Sequence, residues 1–159
     1  MRVGIGYDVH RLVRGRPLIL GGVTIASEWG LEGHSDADVL LHAIGDALLG
    51  ALALGDLGEH FPDTDPRYRG ISSLKLVETV MRMVHEHAYT LCNLDSVLIA
   101  QQPRLAPYLP HIRRKLGDVL GLDQGCISVK AKTAEHLGAL GRAEGIAAYA
   151  VCLMAPHHR

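Results

Sequence analysis

Arg2-Val3-Gly4-Ile5-Gly6-Tyr7-Asp8-Val9-His10 carries Val3, Ile5, Tyr7 and Val9 at every second position. That two-residue period is the mark of a β-strand over residues 2–9. Side chains at i and i+2 of a strand point to the same side, so Asp8 and His10 can reach one common point. The chain therefore opens on a strand whose end presents two metal-ligating groups.

Working outward, Leu18-Ile19-Leu20, Gly21-Gly22 and Val23-Thr24-Ile25 read as a tight hairpin whose glycines supply positive φ. Ser35 or Asp36 can cap a helix running to about Ala53, with Val39, Leu40, Ile44, Ala47, Leu48 and Ala51 as its apolar positions. Residues 55–70 hold Asp56, Glu59, Asp63, Asp65, Pro62 and Pro66 and are expected to be loop. Ser72 or Ser73 starts a second helix to about His87, and residues 91–101 read as a strand. Pro103 to Pro110 form a turn into a third helix ending near Gly121, and residues 126–132 and 146–154 are the last two strands. This order implies an α+β sandwich: a four-stranded mixed sheet with helices on one face, plus a small β-hairpin. The final strand, Ile146 to Met154, is apolar on both faces, so an oligomer is expected to cover the open face of the sheet.

The 159 residues fit a single domain over 1–159. Apolar residues make up 48% and aromatic ones only 4%, so the core must be aliphatic. A formal charge of −1 provides no field for nucleic acid or an anionic membrane, and neither partner is expected. Arg113-Arg114-Lys115 reads as a solvated helix face. Cys92, Cys126 and Cys152 are odd in number and lie in apolar segments, as thiols of a reducing compartment do. With no signal peptide and no membrane-length apolar run, the expected location is the cytoplasm, or a plastid if a transit peptide has been removed. The terminal His157-His158-Arg159 is read as a solubilising tail.

His42 lies on the first helix, on the face shared by Asp38 and Asp46. With Asp8 and His10 it completes an Asp-His-His set, which leaves a tetrahedral zinc ion one open position, as catalytic sites do. Asp38 or Asp46 could fix the tautomer of His42 from behind. On spacing alone, a metal centre and three ordinary half-buried polar residues are equally open. His34-Ser35-Asp36 precedes the helix, whose N-terminus would suit a phosphate. Lys130-Ala131-Lys132-Thr133-Ala134-Glu135 closes a strand with groups that could serve phosphate oxygens and a hard cation, although taken alone they read more readily as surface charges.

These motifs together resemble one family, the 2-C-methyl-D-erythritol 2,4-cyclodiphosphate synthases. The resemblance is carried by Gly6-Tyr7-Asp8-Val9-His10, Gly33-His34-Ser35-Asp36-Ala37-Asp38-Val39, His42-Ala43 and Leu54-Gly55-Asp56-Leu57-Gly58. Phe61-Pro62-Asp63-Thr64-Asp65-Pro66, Ile99-Ala100-Gln101, Val129-Lys130-Ala131 and Gly141-Arg142 extend it to about residue 155.

The resemblance implies a lyase of the non-mevalonate isoprenoid pathway. Its substrate would be a cytidine diphosphate ester, 4-diphosphocytidyl-2-C-methyl-D-erythritol 2-phosphate. The 2-phosphate would attack the β-phosphorus, giving the cyclic diphosphate and CMP. It further implies Zn²⁺ on Asp8, His10 and His42, Mg²⁺ or Mn²⁺ on Glu135, and transition-state stabilisation by His34 and Thr133. Substrate contacts would come from Ser35, from Asp56, Leu57 and Gly58, and from Phe61, Pro62, Asp63, Thr64 and Asp65. The cytidine pocket would be Ala100, Gln101, Gln102, Pro103, Arg104, Leu105 and Ala106 with Ala131, Lys132 and Ala134. A homotrimer with sites at subunit interfaces is implied, with an axial cavity at Arg142. Ala139 and Tyr149 depart from the family's Phe and acidic residue there, so an isoprenoid diphosphate would bind that cavity weakly. Two other readings use the same residues: a metal-dependent phosphodiesterase that activates water, and a non-catalytic nucleotide-binding trimer.

Overall fold

A computed structural model describes residues 1–157. The last two residues of the terminal tail, His158 and Arg159, lie outside them. The strands are β1 (Arg2–Arg14), β2 (Leu18–Leu20), β3 (Val23–Ile25), β4 (Trp29–Leu31), β5 (Tyr89–Ile99), β6 (Ile127–Lys132) and β7 (Gly145–Pro156). The helices are α1 (Val39–Ala51), α2 (Leu57–His60), α3 (Ser73–Glu86), α4 (Leu109–Leu120) and α5 (Gly138–Gly141).

Strands β4-β1-β7-β5-β6 form one sheet in that order, and β2-β3 form a separate hairpin. Among the described residues only the β5–β6 pair is parallel, with α4 as its crossover, so the sheet is mixed as expected. It has five strands rather than four. The extra one, β4, pairs with the end of β1 over Leu12 to Arg14 and is too short to show a period. The expected loop at 55–70 also holds α2 and a single 3₁₀ turn at Pro66–Tyr68.

The helices lie against one face: α1 on β1 and β7, α3 on β5, and α4 on β6. The core beneath them is aliphatic, with Leu18, Leu40, Leu48, Leu94 and Ile112 fully buried. On β1 the register with β7 sets Gly4, Gly6, Asp8 and His10 opposite Cys152, Ala150, Ala148 and Ile146. This is the helix side. A Cβ on Gly4 would fall 1.9 Å from the Ala47 carbonyl oxygen, and one on Gly6 would fall 1.8 Å from that of Ala43. Real atoms never approach so closely, so only glycine lets α1 lie this near the strand. Val3, Ile5, Tyr7 and Val9 face away and are exposed, joined by Tyr149 and Val151 of β7. The rings of Tyr7 and Tyr149 are 4.7 Å apart on this open face.

Candidate active site

The close approach of α1 to β1 brings three ligating side chains together. Asp8 Oδ2 is 2.8 Å from His10 Nε2 and 3.0 Å from His42 Nδ1. The two imidazole nitrogens are 3.2 Å apart. A tetrahedral zinc with bonds of about 2.0–2.1 Å needs its ligand atoms roughly 3.3 Å from one another. The three atoms lie close to that spacing, and the set fits such an ion with one position left open. No other group of three or more His, Cys, Asp or Glu side chains among the described residues has metal-binding spacing.

The charges answer to the same geometry. Burial pushes the Asp8 carboxyl upward, but hydrogen bonds and attraction from His10 and His42 outweigh it and hold the group at about 2. Burial lowers His10, and the bond to Asp8 more than reverses this, so His10 ends above its usual value. His10 Nδ1 donates to the Glu32 carbonyl at 2.6 Å, which in the neutral ring leaves the Nε2 lone pair turned toward the cluster.

The expectation for His42 needs correction. Neither Asp38 nor Asp46 meets its far nitrogen. His42 Nε2 instead lies 2.9 Å from Ser73 Oγ and 3.1 Å from Ser35 Oγ. Asp38, not Ser35 or Asp36, caps α1 by accepting from Leu41 N at 3.1 Å. Its carboxylate also accepts from Gly21 N at 2.9 Å and Gly22 N at 2.7 Å, so the hairpin turn sits over the helix start. Both Asp38 and Val39 are fully buried. The N-terminus of α1 is thereby closed to a phosphate, contrary to the sequence reading. Asp46 accepts from Leu57 N at 2.8 Å and so anchors α2.

His34, Ser35, His42, Leu57, Gly58, Phe61 and Asp63 line one concavity. An adjoining one takes His34, Ser35, Asp63 and Thr64 together with Arg16 and Arg69. His34 Nε2 is buried without a hydrogen-bond partner among the described residues, a polar atom left for a ligand. Arg16 had no motif to single it out; it donates to the carbonyls of Gly33 and Ser35 at 3.0 and 2.9 Å and fixes the loop that carries His34. Asp56 caps α2 through Glu59 N, and Asp65 is paired with Arg67.

Ala100, Gln101, Pro103, Arg104, Leu105, Ala106, Ala131, Lys132 and Thr133 line a separate hollow. It shares no lining residue with the His34 concavities. Gln102 lies instead with Pro103, Trp29 and Arg142 around a further cleft. Glu135 stands apart from the Asp8 cluster and accepts from Thr133 Oγ1 at 3.2 Å, and Pro62 and Ala134 line neither hollow. Arg142 pairs with Glu144 at 3.1 Å. No helix among the described residues is long and apolar enough to cross a membrane.

The sequence profile of the YgbB family matches residues 1–155. Over 155 residues the chain is 61% identical to the 2-C-methyl-D-erythritol 2,4-cyclodiphosphate synthase of Desulfitobacterium hafniense (strain DSM 10664 / DCB-2), covering 97% of this chain and 98% of that protein. A solved 2C-methyl-D-erythritol-2,4-cyclodiphosphate synthase in a CDP-bound form superposes with a TM-score of 0.90 at 41% identity, over 97% of this chain and all of the other. The bifunctional IspDF from Campylobacter jejuni superposes at 0.94 with 40% identity, over 98% of this chain. This chain spans 42% of that longer one.

Proposed function

Because the chain belongs to the YgbB family, we propose that it is a 2-C-methyl-D-erythritol 2,4-cyclodiphosphate synthase, a cyclising phosphorus–oxygen lyase of non-mevalonate isoprenoid biosynthesis. The 2-phosphate oxygen of 4-diphosphocytidyl-2-C-methyl-D-erythritol 2-phosphate forms a bond to the β-phosphorus as the bond from β-phosphorus to the bridging oxygen breaks. CMP departs and the cyclic diphosphate remains. The observation that carries this reading is the Asp8–His10–His42 cluster beside a concavity lined by His34.

Zn²⁺ held by Asp8, His10 and His42 would supply a Lewis acid and a template for phosphate oxygens. Glu135 would hold Mg²⁺ or Mn²⁺. Phosphoryl transfer is mostly positioning and charge neutralisation, so the chain needs donors more than a base. His34, with its buried unpartnered Nε2, suits donation to a phosphate oxygen, and Thr133 is the matching hydroxyl. Asp56, Gly58 and Asp63 suit the polyol hydroxyls, and the hollow from Ala100 to Ala106 suits the cytidine. Holding nucleophile and phosphorus in one bent substrate gives an effective molarity on the order of 10⁵ M or more, enough to outrun water.

The metal cluster and the nucleotide hollow share no lining residue within one chain, which suits a homotrimer whose sites are each completed by a neighbour. The exposed Val3, Ile5, Tyr7 and Val9 face supplies the apolar surface for it. Tyr149 packs at a tilt against Tyr7 of this face, and Ala139 carries no ring, which suits weak binding of any isoprenoid diphosphate near Arg142.

Phosphorus NMR of the substrate incubated with the chain, Zn²⁺ and Mg²⁺ tests the reading. Cyclic diphosphate and CMP are expected from the wild type and neither from His42→Ala. CMP with an open-chain bisphosphate would mean that water is the nucleophile. No turnover would leave a binding protein.

A further inference from the structure

Behind His42 lies a chain of hydrogen bonds that leads away from the metal cluster into the protein. Ser73 is fully buried at the first turn of α3. Its Oγ lies 2.9 Å from His42 Nε2 and also bonds to Asp36 Oδ1. Asp36 Oδ2 accepts the backbone N–H of Ser73 at 3.1 Å. Asp36 thus caps α3 from another segment, since the nominal cap Ser72 makes no side-chain bond. Asp36 is itself held, for its Oδ1 accepts Asp38 N at 3.2 Å and its N–H bonds to the Ile71 carbonyl at 3.1 Å.

The direction of these bonds follows from counting protons. An ionised carboxylate only accepts, so the single hydroxyl proton of Ser73 goes to Asp36. Ser73 Oγ then offers His42 a lone pair, and His42 Nε2 must carry the hydrogen. Ser35 Oγ, 3.1 Å from the same nitrogen, accepts Ala37 N at 3.1 Å and can turn its own proton to Ser73 Oγ at 3.5 Å, so it is compatible with a hydrogen on Nε2. A neutral imidazole with its hydrogen on Nε2 has its free pair on Nδ1, the atom that faces Asp8 and His10.

We propose that Ser73 and Asp36 are positioning residues that set the tautomer and ring orientation of His42 for metal binding. They touch neither substrate nor metal. The proposal rests on the metal reading above and adds that two residues outside the ligand set determine how tightly the ion is held. Partners of this kind are worth about 10–100-fold in metal affinity.

The test is a zinc titration against a chromophoric chelator at fixed pH, using the full chain as wild type, Ser73→Ala, Asp36→Asn and the double variant. Circular dichroism of each metal-free protein confirms that it is folded. Each single variant is expected to bind zinc about 10–100-fold more weakly. The double variant should be no weaker than Ser73→Ala, because Asp36 acts on His42 only through Ser73. The cobalt-substituted visible bands should shift in both single variants. Wild-type affinity in either single variant overturns the proposal, as do losses that simply multiply in the double variant. If Ser73→Ala does not fold, the affinity of Asp36→Asn decides by the same criterion. A wild type that takes up no zinc overturns the metal reading itself, and the proposal with it.

Discussion

Asp8 and His10 stabilise each other's charged forms, which gives the metal-free chain a distinct pH signature. The Asp8 carboxyl is lowered from 3.8 to about 2 in the folded state, so its contribution is present above 3.8 and lost as pH falls through 2. His10 is raised above 6.5, so its contribution is complete below 6.5 and lost as pH climbs through the folded value. The Asp8–His10 contact is common to both shifts, with His42 adding to that of Asp8, and it is therefore fully formed between 3.8 and 6.5. Thermal melting in chelator across this range should show the wild type's advantage over Asp8→Asn widest inside that window and smaller on both sides. An advantage that keeps growing toward alkaline pH would contradict the pairing. Asp8 and His10 were legible as a pair because a strand has a fixed period. Ser73 was not, because its bond to His42 joins two elements 31 residues apart and leaves no local pattern.

Strand β1 and helix α1 form the unit that builds the site, and their separation is set by glycine. Gly6→Ala would set a Cβ 1.8 Å from the Ala43 carbonyl oxygen, a backbone atom that cannot rotate away. The helix would have to move, at a cost of about 1–3 kcal/mol. His42 would move with it, so zinc affinity should fall together with the denaturation midpoint. Gly50→Ala on the same helix is the contrast, for its nearest neighbour is 3.8 Å away and a helical alanine gains roughly 0.5–1 kcal/mol. A Gly6→Ala chain as stable as wild type would refute the close approach. The alternation of Val3, Ile5, Tyr7 and Val9 marked the strand correctly, but a period says nothing about which side faces inward. The three-residue β4 left no trace in the sequence for the related reason that three residues are too few to carry a period. The hairpin, by contrast, could be read because Gly21 and Gly22 adopt positive φ, which other residues resist.

At the scale of the whole molecule, the open face of the sheet and the divided site ask for the same solution. An apolar row along β1 and β7 lies exposed, and under the proposed function the site at His42 would be completed by the hollow at Ala100 to Ala106, which shares no lining residue with the concavity at His42. The sequence pointed to this cover through the doubly apolar β7, while the assignment of each motif to substrate or metal came from resemblance, since distances between loops are not written in local pattern. In the resulting account the substrate's own phosphate is the nucleophile. Turnover in ¹⁸O-enriched water, with both products weighed by mass spectrometry, tests this most directly. The account predicts cyclic diphosphate and CMP that carry no ¹⁸O. One ¹⁸O atom in a product phosphate formed during turnover would show that water attacks phosphorus, and would contradict it.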